Sequence, residues 1–128
     1  MGQEYIIDTN SVIDYLSNKI PEKGLLFIDS ISTSISVMTR IELLGWYNAT
    51  SEQIVRLKTY IDASIIHDLE ENIILKTIEL RQKYRIKTPD AIIAATSIHF
   101  NLVLISRNVS DFKNIEELSY IDPYNLII

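Results

Sequence analysis

Four consecutive apolar residues, Leu102-Val103-Leu104-Ile105, constrain the fold more than any other part of this chain. A strand with one face in water alternates apolar and polar side chains, whereas a strand that is apolar throughout is covered on both faces. Such strands are typical of parallel sheets with helices on either side. Further short β-rich runs, which predict additional strands, occur at residues 5–7, 34–37, 64–66 and 120–121.

Between these runs, apolar residues recur at the three- and four-residue spacing of amphipathic helices. The predicted helices span residues 11–18, 21–28, 38–48, 51–61, 70–85 and 88–98. Ser51 and Thr88 are the expected N-caps of two of them, because their hydroxyl oxygens can accept a backbone N–H bond. Alternating strands and helices predict an α/β fold, a three-layer αβα sandwich around a mostly parallel sheet of four to five strands.

The length of 128 residues suits one domain, which we expect to span residues 1–128. There is no cysteine, so disulfides, zinc–thiolate sites and thiol nucleophiles are excluded. No apolar run approaches the length needed to cross a bilayer. The N-terminus, Met-Gly-Gln-Glu, lacks the basic and apolar regions of a signal peptide, and we therefore expect a cytoplasmic protein with no membrane association.

The formal net charge is −5 and the isoelectric point about 4.9. These values argue against a protein that holds nucleic acid by neutralising phosphates alone, since that requires a basic face. An acidic chain can still act on nucleic acid if some of its carboxylates carry divalent cations. The charge therefore excludes a simple binder but not a metal-dependent nuclease.

Several acidic residues stand where strands end or where helices begin. Asp8 follows the first strand and is followed by Thr9 and Asn10. Alone, Asp8 is explained by helix capping, but three polar residues are more than one cap requires. Glu42 lies near the start of the helix after the second strand, within a largely apolar stretch. Both residues can therefore be ordinary helix residues or metal ligands.

Asp90 follows Thr88-Pro89 and begins a helix whose next residues are small and apolar. Capping and the helix dipole explain the residue itself, but a buried helix behind it places the carboxylate at the edge of the core, where a partner or metal is expected. Asn108 and Asp111 follow the strongest strand. Because functional groups in open α/β sheets lie beyond the carboxyl ends of the strands, we expect all of these residues at one edge.

Four segments of the chain resemble the PIN-domain family, and specifically the VapC-type toxins of type II toxin–antitoxin systems. The segments are Tyr5–Asn10, Arg40–Gly45, Thr88–Ala95 and Ile105–Phe112. The resemblance extends over essentially the whole chain. It implies an endoribonuclease that depends on Mg²⁺ or Mn²⁺, forms a homodimer and is inhibited by a cognate antitoxin protein.

The resemblance also implies roles for individual residues. It makes Asp8, Glu42 and Asp90 the catalytic carboxylates and metal ligands. Asn108 stands where many relatives carry Asp, so either Asn108 or Asp111 is the fourth ligand, and whether one metal or two is used stays open. Thr9, Asn10 and Ser106 are expected to support the ligands through hydrogen bonds. The cations that either steer RNA to the cleft or are ordinary solvated surface residues are Arg40 and Arg107 first, then Arg81, Arg85 and Lys87.

Two other readings fit parts of the sequence. A receiver domain would be phosphorylated on Asp68, but it would need a second acidic residue beside Asp8, where Thr9 and Asn10 stand. A PIN-like RNA- or protein-binding module with weak or no catalysis would keep the fold and lose an acidic position. The two histidines, His67 and His99, are interpreted as ordinary packed or surface residues.

Overall fold

A computed structural model describes residues 2–126 of the chain. Its strands are β1 (Tyr5–Ile7), β2 (Thr33–Ser36), β3 (Ile65–His67), β4 (Val103–Ile105) and β5 (Ser119–Ile121). Its helices are α1 (Thr9–Leu16), α2 (Glu22–Asp29), α3 (Val37–Leu44), α4 (Ser51–Asp62), α5 (Glu71–Lys83), α6 (Thr88–His99) and α7 (Val109–Phe112). Over the described range, no helix has both the length and the apolar character needed to span a bilayer.

The five strands form one sheet in the order β3-β2-β1-β4-β5, and every neighbouring pair is parallel. The predicted sheet is therefore confirmed, with five strands and a wholly parallel arrangement. The chain runs outward from β1 through β2 to β3, then returns to place β4 on the other side of β1. Strand order thus reverses between β1 and β4, and ligand sites in open α/β sheets lie at such a point.

Helices cover both faces of the sheet, which explains the uninterrupted apolar strands. Ile6 and Leu104 face one helical layer and pack with apolar residues of α5, α6 and α7. Ile7 and Ile105 face the opposite layer and pack with residues of α1, α2, α3 and α4. All four side chains are fully buried. The three-layer αβα sandwich expected from the sequence is confirmed.

Two predicted helix caps were wrong by one residue. The N-cap of α4 is Thr50 rather than Ser51, because Thr50 and Gln53 satisfy each other's backbone N–H groups in a capping box. In α6, the cap position falls on Lys87, whose carbonyl accepts from the N–H of Ala91 at 2.9 Å. Thr88 is already the first helical residue and caps nothing with its side chain.

Two helices, α3 and α5, are shorter than predicted. The helix predicted at 38–48 is α3 and ends at Leu44, because the chain turns at Gly45. The longest helix buries Ile73 and Leu80, whereas Leu75 and Ile78 are about half exposed. Apolar side chains occur on more than one face of this helix, so composition alone did not identify the face that packs.

Candidate active site

A depression opens beyond the carboxyl ends of β1 and β4, where the strand order reverses. Its wall is formed by Asp8, Thr9, Asn10, Glu42, Asp90, Ile93 and Asn108. Four separate segments supply these residues: the end of β1 with the start of α1, then α3, α6, and the loop after β4. The fold thus gathers the three predicted carboxylates with Asn108 at one place. Asp111 is not part of this wall and reaches it through Asn108.

Asp8 is the most buried of the three carboxylates, with 7% of its surface exposed. One oxygen, Oδ1, accepts from the backbone N–H of Ser11 at 3.0 Å and so caps α1. The other oxygen, Oδ2, accepts from the hydroxyl of Ser106 at 2.5 Å. Burial raises the pKa of Asp8, against the opposing effects of these hydrogen bonds and of Arg107. Asp8 is therefore both a helix cap and part of the wall.

Ser106 links Asp8 to the loop after β4. Its Oγ accepts from the backbone N–H of Asn108 at 3.0 Å while donating to Asp8. The Asn108 side chain in turn donates from Nδ2 to Oδ2 of Asp111, at 2.6 Å. Because only the amide nitrogen can donate to a carboxylate, this contact fixes which end of Asn108 faces Asp111. The carbonyl oxygen, Oδ1, is left for another partner.

Thr9 holds Glu42 from the start of α1. Its Oγ1 lies 2.6 Å from Oε1 of Glu42 and 3.2 Å from Oγ1 of Thr39. A threonine hydroxyl has one proton, and the carboxylate can only accept, so Thr9 donates to Glu42. Thr39, which is fully buried, then donates to Thr9. This chain of hydroxyls orients one oxygen of Glu42 and leaves Oε2 without a bond from Thr9.

Asp90 lies among other negative charges. Its pKa is raised, first by burial and then by Asp111, Asp8 and Glu42, with Lys87 opposing the shift. The three neighbouring carboxylates therefore disfavour the charged form of Asp90. Such repulsion is expected where a cation is to be bound, because a divalent ion offsets two negative charges.

The donor set fits a hard divalent cation held by few protein ligands. Within residues 2–126, no three acidic or histidine side chains stand close enough together to hold a metal ion by themselves. Mg²⁺ usually takes one or two carboxylates and completes its octahedron with waters and substrate phosphate. The oxygen-only wall, with its repelling carboxylates, suits that mode of binding.

The structure ties the predicted RNA-steering residue Arg107 to a buried acid. Its Nη1 lies 3.2 Å from Oδ2 of Asp14, and its guanidinium stands 5.9 Å from the ring centre of Tyr124. The Tyr124 hydroxyl also donates to Asp14. Asp14 was missed by the sequence reasoning, although an acid between Ile13 and Tyr15 in an apolar helix was a signal. The other predicted cation, Arg40, is exposed on α3 and does not line the depression.

Asp68 and the histidines lie away from this depression. The receiver-domain reading is rejected by topology, because that class places its third strand beside the first, in the order 2-1-3-4-5. Here β2 separates β3 from β1, so Asp68 follows an edge strand. His67 lies 2.9 Å from the Ser34 hydroxyl and stacks on Phe100. His99 lies 3.5 Å from Glu70, so both histidines pack as expected.

Comparison with known proteins identifies the family. Residues 5–118 match the PIN domain family. The fold matches a chain of a toxin–antitoxin complex from Klebsiella pneumoniae with a TM-score of 0.77 and 29% identity, covering 96% of this chain and 100% of that one.

More distant structures share the same fold. A chain of VapBC-1 from nontypeable Haemophilus influenzae matches with a TM-score of 0.81 and 24% identity, covering 96% of this chain and 100% of that one. A chain of DNA-bound VapBC from Salmonella typhimurium matches at 0.82 and 21%, covering 95% and 99% respectively. No curated protein sequence matches the chain. Because the family match covers most of its length, the chain belongs to the PIN domain family.

Proposed function

We propose that the chain is a single catalytic domain, a Mg²⁺- or Mn²⁺-dependent endoribonuclease that acts as the toxin of a type II toxin–antitoxin system. The observation that carries the proposal is the meeting of Asp8, Glu42 and Asp90 where the strand order reverses. The charge of the site adds to it, because burial and then repulsion by Asp111, Asp8 and Glu42 raise the pKa of Asp90, and a bound cation would offset this concentration of acidic groups. Membership of the PIN domain family supports the same activity.

Asp8 and Asp90 would hold the metal directly, with the carbonyl oxygen of Asn108 as a further ligand and Asp111 acting through Asn108. Carboxylate and amide oxygens are ligands that Mg²⁺ and Mn²⁺ prefer. When bound, the metal would lower the pKa of a water ligand and polarise the phosphoryl oxygen.

The protein's own residues orient the reactants. Ser106 holds the Asp8 carboxylate in one position, and Thr9 occupies Oε1 of Glu42. The free Oε2 of Glu42 can then accept a hydrogen bond from the attacking water and receive its proton. Attack on the phosphorus is in line with the leaving oxygen, whose bond to phosphorus breaks as the new bond forms and which takes its proton from solvent. Asn10 and Ile93 also line the depression and would shape the space for the phosphodiester.

The structural neighbours support an antitoxin as a partner. The matched chains from Klebsiella and Haemophilus belong to a toxin–antitoxin complex and to VapBC-1, respectively. We infer that a cognate antitoxin protein binds and inhibits this chain, and that the active toxin is a homodimer. A short antitoxin reading frame directly upstream of the gene would support the assignment.

RNA cleavage by the purified, antitoxin-free protein tests the activity. Wild type should cut RNA with Mg²⁺ or Mn²⁺ and stop when EDTA is added. Asp8→Asn and Asp90→Asn should each lose at least a hundredfold in rate, because each removes a charge that holds the metal. Asp68→Asn, which changes an exposed acid after an edge strand, is the matched control and should cut normally.

The same assay distinguishes the nuclease from a catalytically weak binding module. A wild type that leaves transfer, ribosomal and messenger RNA intact with either metal would contradict the enzyme and favour a binding function. Equal cleavage by wild type and the Asp8 and Asp90 variants would show that the activity comes from a contaminant or from another site.

A further inference from the structure

A second groove borders the carboxylate site and has the opposite charge. It is lined by Arg81, Arg85, Ile86, Lys87 and Asp111. The cations come from the end of α5 and from the turn that leads into α6. Asp90 lies in the first turn of α6. Asp111 forms the other side of the groove, and the same carboxylate accepts from Asn108 in the site wall. The two depressions are therefore contiguous.

The groove is held in shape by the packing of its central residue. Ile86 is buried in the core cluster between the sheet and helices α5 and α6. Its carbonyl accepts from Nε of Arg81 at 3.2 Å, which fixes the turn against the end of α5. Arg81 keeps its four terminal N–H groups for another partner.

The three cations have no acidic partner in the described part of the chain. The ion pairs found over residues 2–126 involve Lys76, His99 and Arg107 instead. Cations near a helix C-terminus are favourable without any ligand, which accounts for Arg81 in the last turn of α5. Arg85 and Lys87 lie beyond that turn, so the helix dipole does not explain them. In a chain of net charge −5, three unpaired cations in one groove are a local reversal of charge.

We propose that this groove binds the phosphates of an RNA strand on one side of the scissile bond. This proposal rests on the proposed nuclease function, because a nuclease must hold the RNA strand beside the bond that it cuts. Arginine and lysine bind phosphate oxygens, and arginine can do so through two parallel hydrogen bonds. The groove is lined by three cations, one aliphatic residue and one acid. These side chains suit the RNA backbone rather than the bases, so we expect RNA of any sequence to bind.

The groove cations take the RNA-binding role that the sequence first suggested for Arg40 and Arg107. Arg107 is engaged by Asp14 and Tyr124, and Arg40 lines neither depression. The end of α5 and the α5–α6 turn therefore supply the cations that border the carboxylate site without an acidic partner in the described residues. Lys87 lies three residues before Asp90 and already acts on the charge of that residue.

Binding without cleavage tests the proposal. The probe is a fluorescein-labelled 12-nucleotide single-stranded RNA of mixed sequence, titrated with full-length protein in EDTA over a series of salt concentrations. Arg85→Ala/Lys87→Ala should weaken binding about tenfold at low salt, and the slope of log K against log salt should fall by about 1.4, or about 0.7 for each lost phosphate contact. Arg81 is left unchanged because it also holds Ile86.

The matched control is Lys23→Ala/Lys58→Ala, which removes two exposed cations from α2 and α4, on the other face of the sheet. It should bind as wild type does. Equal binding by the groove variant and wild type would overturn the proposal, as would an equal loss in the control variant or no binding by wild type at low salt. None of these outcomes depends on cleavage, so a failure of the nuclease assay is separately visible.

Kinetics give a second readout if the protein cuts RNA. Loss of uniform substrate binding raises KM and leaves kcat unchanged. The groove variant should therefore show a KM about tenfold higher at the wild-type kcat. A loss confined to kcat would contradict a binding role and would point to disturbance of Asp90 instead.

Discussion

The hydroxyl oxygen of Ser106 lies 2.5 Å from Oδ2 of Asp8, a contact between residues 98 positions apart in the chain. Ser106→Ala removes this bond and the acceptor for the N–H of Asn108, leaving a buried carboxylate less well solvated. We expect the free energy of unfolding to fall by about 1–3 kcal/mol, the usual cost of an unsatisfied buried group. The pKa of Asp8 should rise further, so the acid limb of the pH–rate profile should move to higher pH.

Ser97→Ala is the control for that experiment. Ser97 is equally buried and donates to the carbonyl of Leu102 at 2.9 Å, near the opposite end of α6. Its loss should cost similar stability in urea unfolding but leave the pH–rate profile in place. A profile that shifts equally in both variants would show that destabilisation, rather than the Asp8 contact, causes the change.

Asp90→Asn should abolish activity and stabilise the protein. The pKa of Asp90 is raised in the folded state, so the charged form is less favourable there than in the unfolded chain. The penalty is fully present above the folded pKa, shrinks as pH falls below it because the folded protein takes up the proton first, and is gone below the ordinary pKa of the unfolded chain. Thermal unfolding at pH 8 should therefore show a gain of about 2 °C in Tm, which vanishes in acid.

Glu52→Gln is the matched control for the stability of Asp90→Asn. Glu52 is exposed in the first turn of α4, so it has the helix-dipole benefit without neighbouring carboxylates. Its loss should lower stability by a few tenths of a kcal/mol. A lower Tm for Asp90→Asn at pH 8 would contradict the repulsion among the four carboxylates.

Divalent metal should stabilise wild type and relieve that repulsion. A ligand that binds only the folded state adds about 2.7 kcal/mol at a hundred times its Kd. We expect Tm to rise with MgCl₂ or MnCl₂ in wild type but not in Asp8→Asn or Asp90→Asn, with NaCl at matched ionic strength as the control. The same rise in all three proteins would place the metal elsewhere.

Thr9→Val keeps the shape of Thr9 and removes the hydroxyl that holds Oε1 of Glu42. We expect the rate of cleavage to fall about tenfold with little change in KM, since a misoriented general base affects the chemical step. The variant should keep its response to metal, because Asp8 and Asp90 are unchanged. Thr9→Ser, which restores the hydroxyl, should recover most of the rate, and a failure to recover would point to packing instead.

Arg107→Met should reduce stability rather than RNA affinity. The buried Asp14 would lose its cation, at an expected cost of about 1–2 kcal/mol, less than for a fully buried pair because half of the Arg107 side chain is in water. A double-mutant cycle with Asp14→Asn measures the coupling between the two residues. An unchanged stability, combined with a smaller salt dependence of RNA binding, would contradict this and would show that Arg107 contacts RNA.

The sequence predicted the fold well because its strongest signals are local and repeated. Leu104 and Ile105 face opposite helical layers. A strand that is buried on both faces needs apolar residues at every position, so the sequence shows this burial as an unbroken apolar run. Asp8 was found because it follows a strand of the parallel sheet, and Asp90 because it lies at the start of the helix that leads into β4. This is a property of the topology and needs no knowledge of side-chain contacts.

What the sequence could not predict depends on contacts between distant residues. Asp14 lies in α1 and Arg107 in the loop after β4, so no local sequence pattern predicts their ion pair. That pair determines which cations stay available to bind a ligand. The choice between Ser51 and Thr50 as a cap turns on one residue of register, which pattern reasoning does not resolve. The face of α5 that packs was likewise ambiguous, since Ile73 and Leu75 are equally apolar.

The place of β4 beside β1 has a consequence for the order of synthesis. Asp8 is synthesised before every other residue of the carboxylate wall, and its Ser106 partner and the strand that flanks it are made only after residue 102. A growing chain that stops earlier has no β1–β4 pair and no complete carboxylate wall. The wall can thus be completed only after β4 and the loop that follows it have been made and have folded beside β1.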